Sequence, residues 1–114
     1  MKYRRGMKVA AILLLALALP SCGRYYSNLI IINGGKDRVS DLSLRDEQTV
    51  WKLGDLAPGA HVAFKGHLQG EGSPIIAWSS IGTRHSEEGC YYTGGMPARG
   101  SITIVSDRLE YRCK

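Results

Sequence analysis

An antiparallel all-β sandwich of about seven to eight short strands is the fold class this sequence predicts, on three observations. Helical patterning is nearly absent past residue 21. The chain holds 14 glycines and 4 prolines, which punctuate it at short intervals. Between them stand short runs rich in Ile, Val, Thr, Tyr and Trp, several of them alternating apolar with polar residues.

The first strand is expected at 29–32, Leu29-Ile30-Ile31-Ile32, ended by Asn33-Gly34-Gly35. Four consecutive apolar residues predict burial on both faces, or on one face plus a covering loop. The second strand, 38–45, alternates: Leu42 and Leu44 point inward, while Val39, Asp41, Ser43 and Arg45 share the opposite face. Asp46-Glu47 turns the chain into a third strand, 48–53, with Trp51 and Leu53 on one face. Leu56 is expected to plug the end of the core. Pro58-Gly59 follows as a type II turn, because Pro presets φ at one position and Gly supplies the positive φ at the next. The fourth strand, 60–66, sends Val62 and Phe64 inward and His61, Ala63 and Lys65 outward. A glycine-rich tip at 69–73 leads to the fifth, 74–80, with Ile76 and Trp78 on one face.

Residues 81–89 read as a polar connection, 90–93 as a short sixth strand and 94–100 as an irregular loop. The last two strands, 101–105 and 108–113, form a hairpin around Ser106-Asp107. A two-residue turn there sets Val105 opposite Arg108, Ile104 opposite Leu109 and Ile102 opposite Tyr111. The apolar residues then share one face, as a correct register requires. Cys113 keeps that parity and is expected to point into the core.

The N-terminus carries an address rather than a fold. Lys2, Arg4, Arg5 and Lys8 precede an unbroken apolar run at 9–19. The run is too short to cross a bilayer as a helix, which takes about 20 apolar residues, and it fits the hydrophobic region of a secretory signal. Met7 would serve as initiator as well as Met1. Leu19-Pro20-Ser21-Cys22 ends the run and resembles the lipobox of bacterial lipoproteins. Leu19 and Ser21 match the pattern, whereas Pro20 departs from the small residue usual there. The resemblance implies removal of 1–21 and lipidation of Cys22 through a diacylglyceryl thioether, in many bacteria with an added N-acyl chain. Several chains hold far better than one, since each buried methylene adds about 0.8 kcal/mol. The alternative is an ordinary signal peptide followed by an unlipidated Cys22.

The chain then divides into a signal peptide (1–21), a lipidated tether (22–27) and a β-sandwich domain (28–114). Tyr25 and Tyr26 in the tether would lie at the headgroup layer or pack on the domain. The implied location is the cell membrane or outer membrane, with the domain facing the periplasm. Gly23 after Cys22, in place of Asp, points to the outer membrane under the enteric sorting rule.

Four of the 15 basic residues lie before Cys22 and none of the 10 acidic ones do, so the remainder carries 11 against 10, a net of +1. The basic character belongs to the signal, which removes any electrostatic case for nucleic acid. The 93 residues from Cys22 onward make one domain at most, with a thin core that a crosslink would support. With Cys22 lipidated, Cys90 and Cys113 remain, and two cysteines in an exported domain pair most simply with each other. A disulfide closing that loop would stabilise by roughly 3 kcal/mol.

The succession Ile32-Asn33-Gly34-Gly35, an alternating strand, Gly54-Asp55-Leu56-Ala57-Pro58-Gly59 and a Val-x-Phe strand resembles the immunoglobulin-like adhesion and cell-surface modules of bacteria. The likeness covers residues 28–80 and implies a fold, not a function.

Chemistry is sparse. His61 and His67 are six residues apart, about 20 Å along an extended strand, too far to share an ion. His85 with Glu87 and Glu88 is a possible loop site, but a metal site needs three or four ligands that converge; solvated surface histidine is the expectation, and no cofactor or metal is expected. Ser79, Ser80 and Ser86 near His85 lack a G-x-S-x-G nucleophile elbow. The glycines precede no Lys-Ser or Lys-Thr, which excludes a phosphate-binding loop. Cys90 and Cys113 are not spaced as redox C-x-x-C thiols. The stretch around Tyr91, Tyr92, Met96 and Arg99 is the candidate interaction surface, since tyrosine and methionine beside glycines favour contact. The expectation is a non-catalytic envelope lipoprotein with a structural or protein-binding role and a protein partner. A small inhibitor or ligand-binding lipoprotein is the alternative, and a small hydrolase a distant one.

Overall fold

The computed structural model describes residues 26–93 and 96–114, which fold as eight strands with no helix among the described residues. These are β1 (Ser27–Asn33), β2 (Val39–Arg45), β3 (Val50–Leu56), β4 (His61–Gly66), β5 (Ile75–Ser80), β6 (Thr83–Glu88), β7 (Arg99–Val105) and β8 (Arg108–Cys113). The signal segment, Cys22 and Tyr25 lie outside the described residues.

Two four-stranded sheets form, ordered β4-β1-β7-β8 (sheet A) and β3-β2-β5-β6 (sheet B). Pairing is antiparallel except between β1 and β7, which run parallel. The chain is thus all-β with two sheets. In an immunoglobulin constant domain the first two strands share a sheet; here β1 and β2 belong to opposite sheets.

The core lies between the sheets. Leu29, Ile31, Phe64, Ile102, Ile104 and Leu109 face it from sheet A, and Val39, Leu42, Leu44, Leu56, Ile76 and Trp78 from sheet B. On β1 only alternate residues are buried, so the apolar run is amphipathic after all: Ile30 is 43% exposed. Trp78 is fully buried, and its indole N–H donates to the Ser106 carbonyl (3.1 Å). Asn33 fastens the end of β1: its side-chain amide donates to Asp37 O (2.8 Å) and Leu56 O (3.0 Å) and accepts from Gly35 N (3.1 Å). A buried amide needs all of these partners.

The β7–β8 register is the expected one, with Val105 opposite Arg108, Ile104 opposite Leu109 and Ile102 opposite Tyr111. Four local expectations fail, each for a physical reason. Residues 83–88 form strand β6 rather than part of a connection. β6 is a polar edge strand that pairs only with β5, so it shows no apolar alternation. Its hairpin turns on Ile81 (φ 50°) and Gly82 (φ 75°), the pair of positive angles a type I′ turn demands. Ile is a poor occupant of that position, which hides the turn. Residues 90–93 form no strand: a single bridge joins Tyr92 to Gly72.

Val39 is buried, against the expected outward face. A bulge at Asp41 (φ 49°) shifts the register between Ser40 and Ser43, so Val39 and Leu42, three apart, both point inward. Finally, Tyr111 is 52% exposed and Cys113 is exposed. β8 is an edge strand, and sheet B meets it through few contacts, among them the Glu87 carboxylate accepting the Leu109 N–H. Toward Cys113 no facing strand covers it.

Candidate functional site

β1 and β7 begin, and β4 and β8 end, at one pole of the sandwich, as their registers require. Tyr26, the residue before β1, stands at this pole. Residues 90–93 and 96–99 and the loop 67–73 lie there too, joined to the strand ends by hydrogen bonds.

The segment is clamped at several points. The Cys90 and Cys113 sulfurs lie 2.06 Å apart, a disulfide distance, with Cys90 buried. Tyr92 exchanges two backbone hydrogen bonds with Gly72 (2.7 and 3.0 Å). Its hydroxyl donates to the Gln69 carbonyl (2.8 Å), while the Gln69 N–H donates to the Asp46 carboxylate (2.7 Å). The same carboxylate accepts from Gln48 N (2.8 Å) and Thr49 N (2.7 Å). Burial alone would raise the Asp46 carboxyl, but the backbone N–H donors outweigh it and hold the group below its usual range. Burial, with the negative charges of Asp46 and Glu47 nearby, pushes the Tyr92 phenol up. Thr93 N and Met96 O close a turn (2.8 Å), and Ala98 N donates to the Ser27 hydroxyl (2.9 Å).

Of the expected surface residues, Tyr91 is 62% and Met96 69% exposed, and Arg99 is exposed. Tyr92 is not part of it. At 2% exposure it belongs to the core, because its bridge to Gly72 turns the ring inward beside Cys90. Tyr26, half exposed, sets its ring edge-on to His67 at 6.1 Å. The resulting surface sets the apolar Tyr91 and Met96 beside the cation Arg99, and hydrogen bonds hold the backbone at Tyr92, Thr93, Met96 and Ala98, which lowers the ordering cost of binding.

The remaining candidates for chemistry are placed apart. His61 lies on the outer face of sheet A opposite Ile32, and His67 past the end of β4. His85 stacks on Trp78 (5.4 Å between rings), its direct partner across β5 and β6. Ser79 accepts a hydrogen bond from Arg84 (3.2 Å). No group of three or more metal-ligating side chains converges among the described residues.

The pattern of the sequence missed a groove of about 540 Å³ on the outer face of sheet B. The Asp41 bulge shapes it. Asp55 accepts from Asp41 N (3.0 Å), and Arg84 donates to Asp41 O (2.8 Å). Val50 and Lys52 stand on its β3 side. Gly54, with φ 90° inside a strand, is the one sequence signal that marked the irregularity.

No protein-family model matches the chain, and no curated protein does. Among solved structures it is similar to an NMR structure of a protein from Eubacterium rectale, with a TM-score of 0.57 and 11% sequence identity. The match covers 80% of this chain and 90% of that one. At that identity the likeness concerns the fold alone.

Proposed function

We propose that this chain is a lipid-anchored, non-catalytic interaction module of a bacterial cell envelope, with its domain on the periplasmic side. The observation that carries the reading is Leu19-Pro20-Ser21-Cys22 at the end of an apolar run behind four basic residues. A small all-β domain with two cysteines at disulfide distance suits an oxidising compartment. The clamped surface bearing Tyr91 and Met96 suits a protein partner. This reading needs the two-sheet all-β fold and not the immunoglobulin-like likeness.

Fractionation of cells expressing Cys22→Ser tests the anchor: the variant should leave the membrane fraction or accumulate unprocessed. Normal processing with full membrane retention refutes it. Affinity capture from detergent-solubilised membranes tests the role. An envelope protein whose capture is lost on Tyr91→Ala with Met96→Ala supports it. A soluble enzyme that the chain inhibits would favour the inhibitor reading instead.

A further inference from the structure

The strand registers align the outer face of sheet A into cross-strand rows, because directly opposed residues share a face. The row at the pole where the chain arrives from Cys22 is Lys65, Asn28, Arg99 and Lys114. The next row is Ala63, Ile30, Ser101 and Arg112. Lys65, Arg99, Arg112 and Lys114 are all exposed, and none is ion-paired among the described residues. No acidic residue stands in either row. The first, Glu110 in the third row, already pairs with Arg108 (2.9 Å). Arg99, Arg112 and Lys114 ring a depression of about 500 Å³ that also holds Ile30. On sheet B's side of the same pole the exposed charges are Glu47, Glu71 and Glu88 against the single cation Arg45, so that side is net acidic where sheet A's is basic.

We propose that this face of sheet A docks on anionic phospholipid headgroups, laying the domain against the membrane that anchors it. The reading rests on the lipidation of Cys22 for its geometry. Three residues separate Cys22 from Tyr26, four steps along the chain, so the acylated residue stands at most about 14 Å from Tyr26, however the intervening chain runs. That distance is comparable to the screening length of about 8–10 Å at physiological salt, so cations at the pole feel a charged leaflet. Each cation near such a leaflet strengthens attachment roughly fivefold. Tyr26, half exposed where the chain enters β1, adds a ring at the same pole, and such rings favour the headgroup layer. The acidic side faces away, which fixes the orientation and leaves the outer face of sheet B free.

Lysine acylation read by mass spectrometry tests the orientation. The full exported chain is purified from membranes, its intact mass is read, and it is added to phosphatidylcholine vesicles with or without one-third phosphatidylglycerol. Labelling of Lys65 and Lys114 should fall severalfold on the anionic vesicles, recover in high salt, and stay unchanged at Lys36 and Lys52. Arg99→Glu with Arg112→Glu should abolish that protection while leaving the circular dichroism spectrum intact. Equal labelling of Lys65 on both vesicle types overturns the proposal, as does protection that persists in the double variant. The contrast is read whatever the N-terminal mass proves to be, so loss of the anchor and loss of the docking face show up separately.

Discussion

Replacing Asp46 by Asn tests the tie between the β2–β3 turn and the loop 67–73. The native carboxylate accepts Gln48 N–H and Thr49 N–H on Oδ1 and Gln69 N–H on Oδ2. Asparagine keeps the shape and one acceptor but sets an NH₂ donor against the Gln69 N–H. Leaving that part-buried donor unpaired costs about 1–3 kcal/mol, and the two remaining bonds lose their charge assistance. Because the residue is near the surface, a total of about 2–3 kcal/mol is expected, out of the roughly 5–15 kcal/mol typical of a domain. Urea unfolding at pH 7 with the cysteines oxidised measures it, and the melting temperature should drop by about 10–20 °C. The sign with pH follows from the lowered carboxyl. Its contribution is complete above the unfolded value near 3.9 and is lost as pH falls through the folded one. The gap between wild type and Asp46→Asn should therefore narrow from about pH 5 toward pH 2. A gap below about 0.5 kcal/mol at pH 7, or one that does not narrow in acid, contradicts the reasoning.

Three further outcomes are expected. Cys90→Ala with Cys113→Ala should lower unfolding stability by roughly 3 kcal/mol, read as a shifted urea midpoint; an unchanged midpoint would show the crosslink idle. Gly100→Ala should cost about 3 kcal/mol or more, because φ is 140° and a Cβ there would sit 2.0 Å from the Arg112 carbonyl oxygen. Ile81→Asn should stabilise the fold by about 1 kcal/mol, since Asn tolerates the left-handed turn position that Ile occupies at 79% exposure.

Strands whose one face is apolar were readable from their period. Leu42 with Leu44, Ile76 with Trp78, and the whole β7–β8 register follow from alternation, because a one-residue slip would expose every core side chain. The edge strand β6 was not readable. Its residues, Thr-Arg-His-Ser-Glu-Glu, are all polar and meet the core through His85 on Trp78 and Glu87 on the Leu109 N–H, so no apolar period exists. A bulge breaks the period within a strand, and Asp41 thereby hid the burial of Val39. At the candidate surface the sequence grouped Tyr91 with Tyr92, and the bridge to Gly72 that turns Tyr92 inward is non-local. The bonds that fix this surface, from Asp46 and Tyr92 to Gln69, span 23 residues of sequence each and leave no local trace. The basic rows of sheet A depend on β4, β1, β7 and β8 being neighbours, which no segment of sequence states by itself.

The intact mass of the protein extracted from membranes tests the central claim most directly. A polypeptide beginning at Cys22, heavier than its sequence by a diacylglyceryl group, with or without one further N-acyl chain, is the predicted result. A chain that begins at any other residue, or that carries no acyl mass, contradicts it.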